Sequence, residues 1–526
     1  MPDPSLPRHV QALLSPDAYP HPVGDIELRQ THISYLLFAG DFVYKVKKPL
    51  DLGFLNFTTL EQRRHFCEEE LRLNRRLCSE TYIGVVPIAG VGDGVKVEAE
   101  GEVIDYAVKM RRLPEEGMMT PLLERNAVTP EMIAGLAVRI ADFHAKSERS
   151  DEIDRFGGLE TAMVNWRENF EQTESYIGRT IDQRQFDEVR AFIEAVEASD
   201  ADLFALRLRE GRARDCHGDL RADAVCFRDN DVCIFDCIEF NERFRISDVA
   251  ADIAFLAMDL EERGHRDLSD HLMSRYLSAT MDSTLPLVLP FYKCYRAYVR
   301  GKVDGFQLDQ PEISEAQKAQ VIAATRRYFA LAHAYATQTA PRALIITVGV
   351  TGSGKSYLAN ALAARLGAVI LSSDVIRKRL SGIDPTERRI EPIDSGIYSP
   401  EATERAYQAL LDEARPWLER GKPVVLDASY LQRSQREGAQ SLASEIGVRF
   451  LALDCQADEA LVRERLSARQ GEERAVSDGR WEVYQTQQER REPPEELPAD
   501  SLASIDMARP LGEQIDSALT HLGPAG

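Results

Sequence analysis

Eight consecutive residues, Gly349 to Ser356 (GVTGSGKS), set three glycines, a lysine and a hydroxyl in an order that suits a phosphate group. Gly349, Gly352 and Gly354 let the backbone turn so that successive N–H groups, Thr351 and Ser353 included, point inward at phosphate oxygens. Lys355 reaches β- and γ-phosphates as a point charge, and Ser356 offers its hydroxyl to Mg2+. The apolar run Ala343–Val350 precedes the loop, and a helical pattern from Tyr357 to Leu366 follows it. That flanking strand and helix separate it from a chance glycine loop, because the helix then directs its positive end at the same anion. The expected ligand set is Gly349, Thr351, Gly352, Ser353, Gly354, Lys355, Ser356 and Tyr357 around ATP, with Mg2+ as the accompanying ion.

A nucleotide site alone does not name a reaction. Ser372-Ser373-Asp374 ends a second apolar strand, where ligands gather in a parallel sheet. A carboxylate there accepts a proton from an attacking hydroxyl or positions it, so Asp374 is a catalytic candidate. Arg377, Lys378 and Arg379 follow on a helix, facing either the acceptor or solvent. Asp427 closes another apolar strand, VVLD, where it holds Mg2+, contacts the acceptor or caps a helix. Arg463, Arg465 and Arg469 share a later helical stretch, ahead of Gly471, Arg474 and Ser477-Asp478. Arginines on such a segment neutralise charge on a transferred group and exclude water, or simply make an exposed charged face.

A second constellation lies upstream. Cys216-His217-Gly218-Asp219-Leu220 reads as a loop, followed by a short hairpin and then Asp236. A loop aspartate, a hairpin and a second aspartate is the layout of a phosphotransfer site, with Asp219 meeting the acceptor proton and Asp236 holding Mg2+. Lys45 sits inward on the strand pattern VYKV, and Glu70 on the following helix (Thr59–Arg76) pairs with it to aim it at α- and β-phosphates. Tyr106–Leu113 reads as a further strand. His144, Asp248, Asp252, Trp166, Phe170 and Tyr176 read as packing, capping or loop-ordering groups.

The elements that must position these residues alternate in type. Residues 25–110 show short strand patterns and one strong helix; 128–337 are mostly helical, with a β-like island from Asp215 to Phe240. The helical stretch Gln317–Tyr335 runs into the polar TQTAP segment. Beyond it, Ala368–Leu371, Pro423–Asp427 and Val448–Asp454 are apolar strands separated by helical patterns, the signature of a parallel sheet covered by helices. At 526 residues the chain exceeds one hydrophobic core. Its net charge of -22 disfavours nucleic acid and anionic membrane as partners, leaving a small-molecule acceptor. No signal peptide and no run of about 18 apolar residues is present, so a cytoplasmic location is expected. Cys226, Cys233 and Cys237 cluster, and read as buried thiols ahead of a metal site.

GVTGSGKS, LSSDVIRKRLSG, IYSPEATERAY, VVLDASYL and RERLSARQ…VSD together resemble the P-loop small-molecule kinases of the gluconate kinase, zeta-toxin and polynucleotide 5′-kinase group. The resemblance covers nearly all of residues 341–510 and implies a three-layer α/β/α parallel sheet, acceptor contact by Asp374 and lid roles for Arg465 and Arg469. Gly479 stands where the related S-D-A motif has alanine. Residues 25–330, through CHGDL, FDCIEFN and DIAFLAMDL, resemble the aminoglycoside phosphotransferase and choline kinase superfamily, which implies a bilobal protein-kinase-like fold. That pattern places a second metal-binding asparagine five residues past the loop aspartate, where this chain has Ala224. A methyl group cannot coordinate a hard cation. Arg221 stands where relatives carry histidine, and no GxGxxG covers the nucleotide, so Thr31–Ser34 would have to serve. The resemblance divides the chain into a kinase-like N-lobe (1–112), a helical C-lobe (113–337), a linker (338–342) and a P-loop kinase domain (343–526).

These readings converge on an ATP-dependent phosphotransferase acting on an alcohol group of a small molecule. Polynucleotide 5′-kinase activity and a nucleotide-dependent regulator are the alternatives.

Overall fold

The computed structural model describes residues 6–92, 94–228, 231–310, 313–385, 387, 391–392, 394–469 and 479–523, the side chain of Arg469 excepted. They divide into two compact units: Met1–Val128, Asp142–Ala162 and Phe204–Leu256 form the first, and Thr129–Ala141, Met163–Leu203 and Ala257–Gly526 the second.

The first unit is built on an antiparallel sheet of β1 (Glu27–Gln30), β2 (Ser34–Ala39), β3 (Phe42–Lys47), β4 (Tyr82–Val91), β5 (Gly94–Val97) and β6 (Glu102–Arg111), in the order β1-β2-β3-β6-β4-β5. Successive side chains of a strand face opposite ways, so Tyr44 and Val46 join one apolar cluster while Lys45 and Lys47 share the other face of β3. The helix Leu60–Cys78 starts at a capping box in which Thr59 and Gln62 satisfy each other's backbone. It buries Cys67, Glu70, Leu73 and Leu77, bringing Glu70 to the two lysines. Two short pairings complete the unit: β7 (Ala213–Asp215) with β10 (Ile246–Asp248), and the hairpin of β8 (Val225–Arg228) with β9 (Asp231–Ile234).

The expected cysteine cluster divides. Cys226 and Cys237 are buried free thiols, whereas Cys233 forms a disulfide with Cys78 across a separation of 155 residues. Local spacing carries no sign of that pairing; it arises because the C-terminus of the Leu60–Cys78 helix packs against β9.

The second unit contains a five-stranded parallel sheet of β11 (Ala343–Val348), β12 (Val369–Ser372), β13 (Val424–Asp427), β14 (Arg449–Gln456) and β15 (Leu502–Asp506), ordered β12-β13-β11-β14-β15. All six residues of β11 and all four of β13 are buried, as expected of strands covered on both faces. The sequence reading anticipated β11 to β14 and missed β15.

The segment 338–342 joins two elements of this same unit, the helix Glu315–Thr337 and β11. The helix Lys355–Leu366, which follows the phosphate loop, lies along the helix Arg266–Thr280. Ser274 donates its hydroxyl to the Tyr357 carbonyl at 2.7 Å, the Tyr357 hydroxyl meets His271 Nδ1 at 2.6 Å, and Arg365 pairs with Asp270. Ile370 N–H donates to the Ser283 carbonyl at 3.1 Å, and Leu287 packs on the apolar layer beneath β12 and β13. Among the described residues no helix is long and apolar enough to cross a membrane.

Candidate active site

The loop Gly349–Gly354 leaves β11, the central strand, and enters the helix Lys355–Leu366. Gly352 has φ +78° and Gly354 φ +101°, a region that side chains with a Cβ rarely occupy. Space demands glycine as well. A Cβ on Gly352 would lie 2.9 Å from carbons of Val462 and Leu466, and one on Gly354 would lie 2.7 Å from Arg465 Nη1. Val462 and Leu466 belong to the helix Glu459–Arg469, which therefore rests directly on the loop through a small cluster with Val350 and Tyr484.

Three strand ends meet at this loop. Ser356 Oγ donates to Asp427 Oδ1 at 3.0 Å, and Asp427 ends β13, the neighbour of β11. Ser372 of β12 lies in register with Asp427, which sets Asp374 two residues beyond the sheet on the same side. Thr347 Oγ1 donates to the Ala428 carbonyl at 2.8 Å, and Gly349 N–H to the Ser429 carbonyl at 3.0 Å, fixing the β13 exit against the phosphate loop. Lys355, Ser356, Asp374 and Asp427 all line a cavity of about 250 Å3. Two hard oxygen donors, the Ser356 hydroxyl at the start of the helix Lys355–Leu366 and the Asp427 carboxylate at the end of β13, fit Mg2+.

The far wall of the cavity includes Arg377, Tyr398 and Tyr407. Arg377 is 7% exposed and donates through Nη1 to the Ile397 carbonyl and the Thr403 hydroxyl, with its guanidinium over the Tyr398 ring. Its described partners are all neutral, and its buried Nε has none. Burial pushes the Tyr407 phenol up to about 12, so its hydroxyl is an un-ionised group that accepts the Tyr430 N–H at 3.0 Å. The helix Trp481–Arg490 closes the remaining side: Arg490 pairs with Asp394 through contacts of 2.7 and 2.8 Å, Arg480 donates to the Glu391 carbonyl, and Gln487 Oε1 accepts the Thr351 N–H at 2.6 Å.

Not every expected ligand turns inward. Tyr357 directs its ring at His271 and Arg275 instead of the cavity. Ser353 is fully buried, so only its backbone is available to a phosphate. Arg465 donates to the carbonyls of Ser353 and Met507, supporting the loop, and is not among the cavity-lining residues described. Arg463 pairs with Glu459 and covers the Trp481 ring. The side chain of Arg469, and Gly471, Arg474, Ser477 and Asp478, lie outside the described residues.

In the first unit the expected Lys45–Glu70 pair forms, within a larger cluster that the sequence did not announce. Lys45 Nζ lies 2.7 Å from Glu70 and 2.6 Å from Asp236, and Glu70 also reaches Lys47, which pairs in turn with Glu239. The Lys45 ammonium holds the Asp236 carboxyl below the usual range, and Asp236 adopts φ +66°. Asp252 accepts the N–H groups of His217 and Gly218 at 2.7 and 2.8 Å, ordering the loop that carries Asp219; His144 lies 3.3 Å from the same carboxylate. Asp248 pairs with buried Arg207. Trp166 and Phe170 stack inside the helical part of the second unit.

Residues 59–287 match the family described as "Phosphotransferase enzyme family", and residues 344–494 match the family described as "AAA domain". The Mycobacterium tuberculosis protein Rv2004c is 31% identical over 456 residues, which span 86% of this chain and 88% of that protein. This chain belongs to the Rv2004c family. The Mycobacterium bovis protein Mb2027c matches with the same identity and coverage. Among solved structures, a gluconokinase from Sinorhizobium meliloti matches at 26% identity over 35% of this chain and 93% of its own, with a TM-score of 0.26. A choline/ethanolamine kinase family protein from Mesorhizobium loti matches at 13% identity over 59% and 92% of the respective chains, with a TM-score of 0.34. In this member of the Rv2004c family a kinase-like aminoglycoside-phosphotransferase fold therefore precedes a P-loop kinase-like domain.

Sequence reasoning overlooked Gln487, Arg480 and Arg490. Their only local signal is a helical, polar stretch after the arginine-rich segment, which reads equally well as a solvated face.

Proposed function

We propose that the second unit transfers the γ-phosphate of ATP to the hydroxyl of a small, anionic molecule. The observation that carries this is the shared cavity: a phosphate loop with its lysine, an oxygen-donor pair and the Asp374 carboxylate in the first turn of the helix Ser373–Leu380 open on one space. Lys355 and the loop amides bind the triphosphate, and Ser356 with Asp427 would hold Mg2+. Bound there, the ion would neutralise charge on the phosphate oxygens. Asp374 orients the acceptor hydroxyl and receives its proton as the oxygen attacks the γ-phosphorus. Arg377, buried among neutral partners, supplies a charge that an acceptor carboxylate or phosphate complements. The helix Trp481–Arg490 keeps water out of the cavity mouth.

The test is a screen of hydroxy acids and sugar phosphates for ATP-dependent phosphorylation by the full chain. Phosphorylation should be lost in Lys355→Ala and Asp374→Asn. Unchanged turnover in Lys355→Ala defeats the assignment.

A further inference from the structure

The kinase-like site of the first unit keeps its nucleotide-facing half and closes its acceptor-facing half. Lys45, Glu70 and Asp236 form the arrangement that receives a triphosphate. Opposite them, Arg221 grips the loop aspartate: Nε lies 3.1 Å from Asp219 Oδ1 and Nη2 lies 3.2 Å from Oδ2. Both oxygens that would meet an acceptor hydroxyl are engaged by one planar guanidinium, a geometry lysine or histidine cannot reproduce. Arg221 is itself fixed, with Nη1 2.7 Å from Asp223 Oδ2 and its guanidinium 5.7 Å from the centre of the Phe255 ring.

The metal side is also incomplete. Ala224 is buried at 6% exposure in the turn Ala222–Ala224 and offers a methyl group where a second metal ligand would be needed. Asp223 does not substitute, because its carboxylate is held between Arg221 and the Thr120 hydroxyl, the latter at 2.8 Å. These residues fit one cation at Asp236 and do not fit two.

We infer that the first unit is a nucleoside-triphosphate-binding site that does not transfer phosphate, with Arg221 standing in the acceptor's place at Asp219. The inner cluster sets two lysines, Lys45 and Lys47, against three carboxylates, Glu70, Asp236 and Glu239, so a triphosphate enters together with its divalent cation. The site thus reads nucleotide and leaves chemistry to the phosphate loop.

The experiment uses the full chain carrying Lys355→Ala, which silences the phosphate loop, with folding checked by circular dichroism and Mg2+–mant-ATP as the probe. A single mant-ATP remains bound per chain, and adding Asp236→Asn, a half-exposed position, weakens it by at least about tenfold. Label from γ-labelled ATP stays at the protein-free rate in water and with a pooled alcohol library. Restoring both missing parts in this background, Arg221→His with Ala224→Asn, raises release of label by at least about tenfold. A folded Lys355→Ala chain that binds no mant-ATP overturns the inference, as does label release that Asp219→Asn abolishes. An unchanged rate in the restored variant overturns the role given to Arg221.

Discussion

Gln487 Oε1 accepts the Thr351 N–H at 2.6 Å, so a carboxamide oxygen sits on an amide of the phosphate loop. A phosphate oxygen arriving at that amide has to displace it. A neutral hydrogen bond is worth about 1 kcal/mol, so Gln487→Ala should tighten mant-ATP binding to the second unit by about fivefold. Equilibrium titration in an Asp236→Asn background isolates that site, and an unchanged dissociation constant contradicts the competition.

In the proposed reaction Asp374 acts on the acceptor and not on the nucleotide. Asp374→Asn should lower kcat by about 10²–10⁴-fold while the dissociation constant for ATP stays within about twofold. Single-turnover kinetics with the acceptor found in the screen separates the two effects.

Arg377 should govern acceptor affinity. Charge-assisted hydrogen bonds contribute about 1.5–3 kcal/mol, so Arg377→Ala should raise the acceptor KM by roughly 10–100-fold. Arg377→Lys should recover little of this, because an ammonium lacks the planar fork and the stacking on Tyr398. A KM unaffected by Arg377→Ala would remove the anionic group from the acceptor's description.

Much of this site was legible in the chain itself, and the reason is local encoding. Gly349 to Ser356 are consecutive, their glycines are needed by backbone angles set within the loop, and β11 announces itself by unbroken apolar character. Lys45 and Glu70 were legible because each lies on a strong element of its own, β3 and the capped helix Leu60–Cys78. What failed to show depends on distant pairing. Cys78 meets Cys233 only after helix and hairpin pack, β15 alternates burial at the sheet edge and resembles an ordinary amphipathic strand, and Gln487 is one polar residue among many until Thr351 lies beside it. Arg221 was noticed as a substitution, but its two-point grip on Asp219 needed coordinates.

Gly352 is a structural requirement as well as an expected phosphate ligand. A methyl group there meets Val462 and Leu466 at 2.9 Å and must adopt φ +78°. Gly352→Ala should cost about 1–3 kcal/mol of stability, read as a lower Tm of the second unit, and should weaken nucleotide binding at the same time.

Acid should loosen the second unit through His271. Burial holds its folded-state pKa below the usual 6.5, the nearby carboxylates of Asp267, Asp270 and Glu131 opposing that effect. The unfolded chain therefore binds a proton that the folded chain refuses, and stability is lost as pH falls through about 6.5 and levels off below the folded value. Thermal melts between pH 8 and pH 5 should show a decline that is shallower in His271→Asn.

The stitching of Tyr357, Arg365 and Ile370 to residues 270–283 bears on how the gene can be dissected. A fragment starting at residue 343 would carry an intact nucleotide motif on a helix stripped of its neighbours, with Leu358-side packing and the Tyr357 ring thrown open to water. Breakpoints chosen from motif boundaries would thus yield an aggregating fragment, whereas a chain that retains Thr129–Ala141 and Met163–Leu203 together with everything from Ala257 onward keeps the unit and its joint whole.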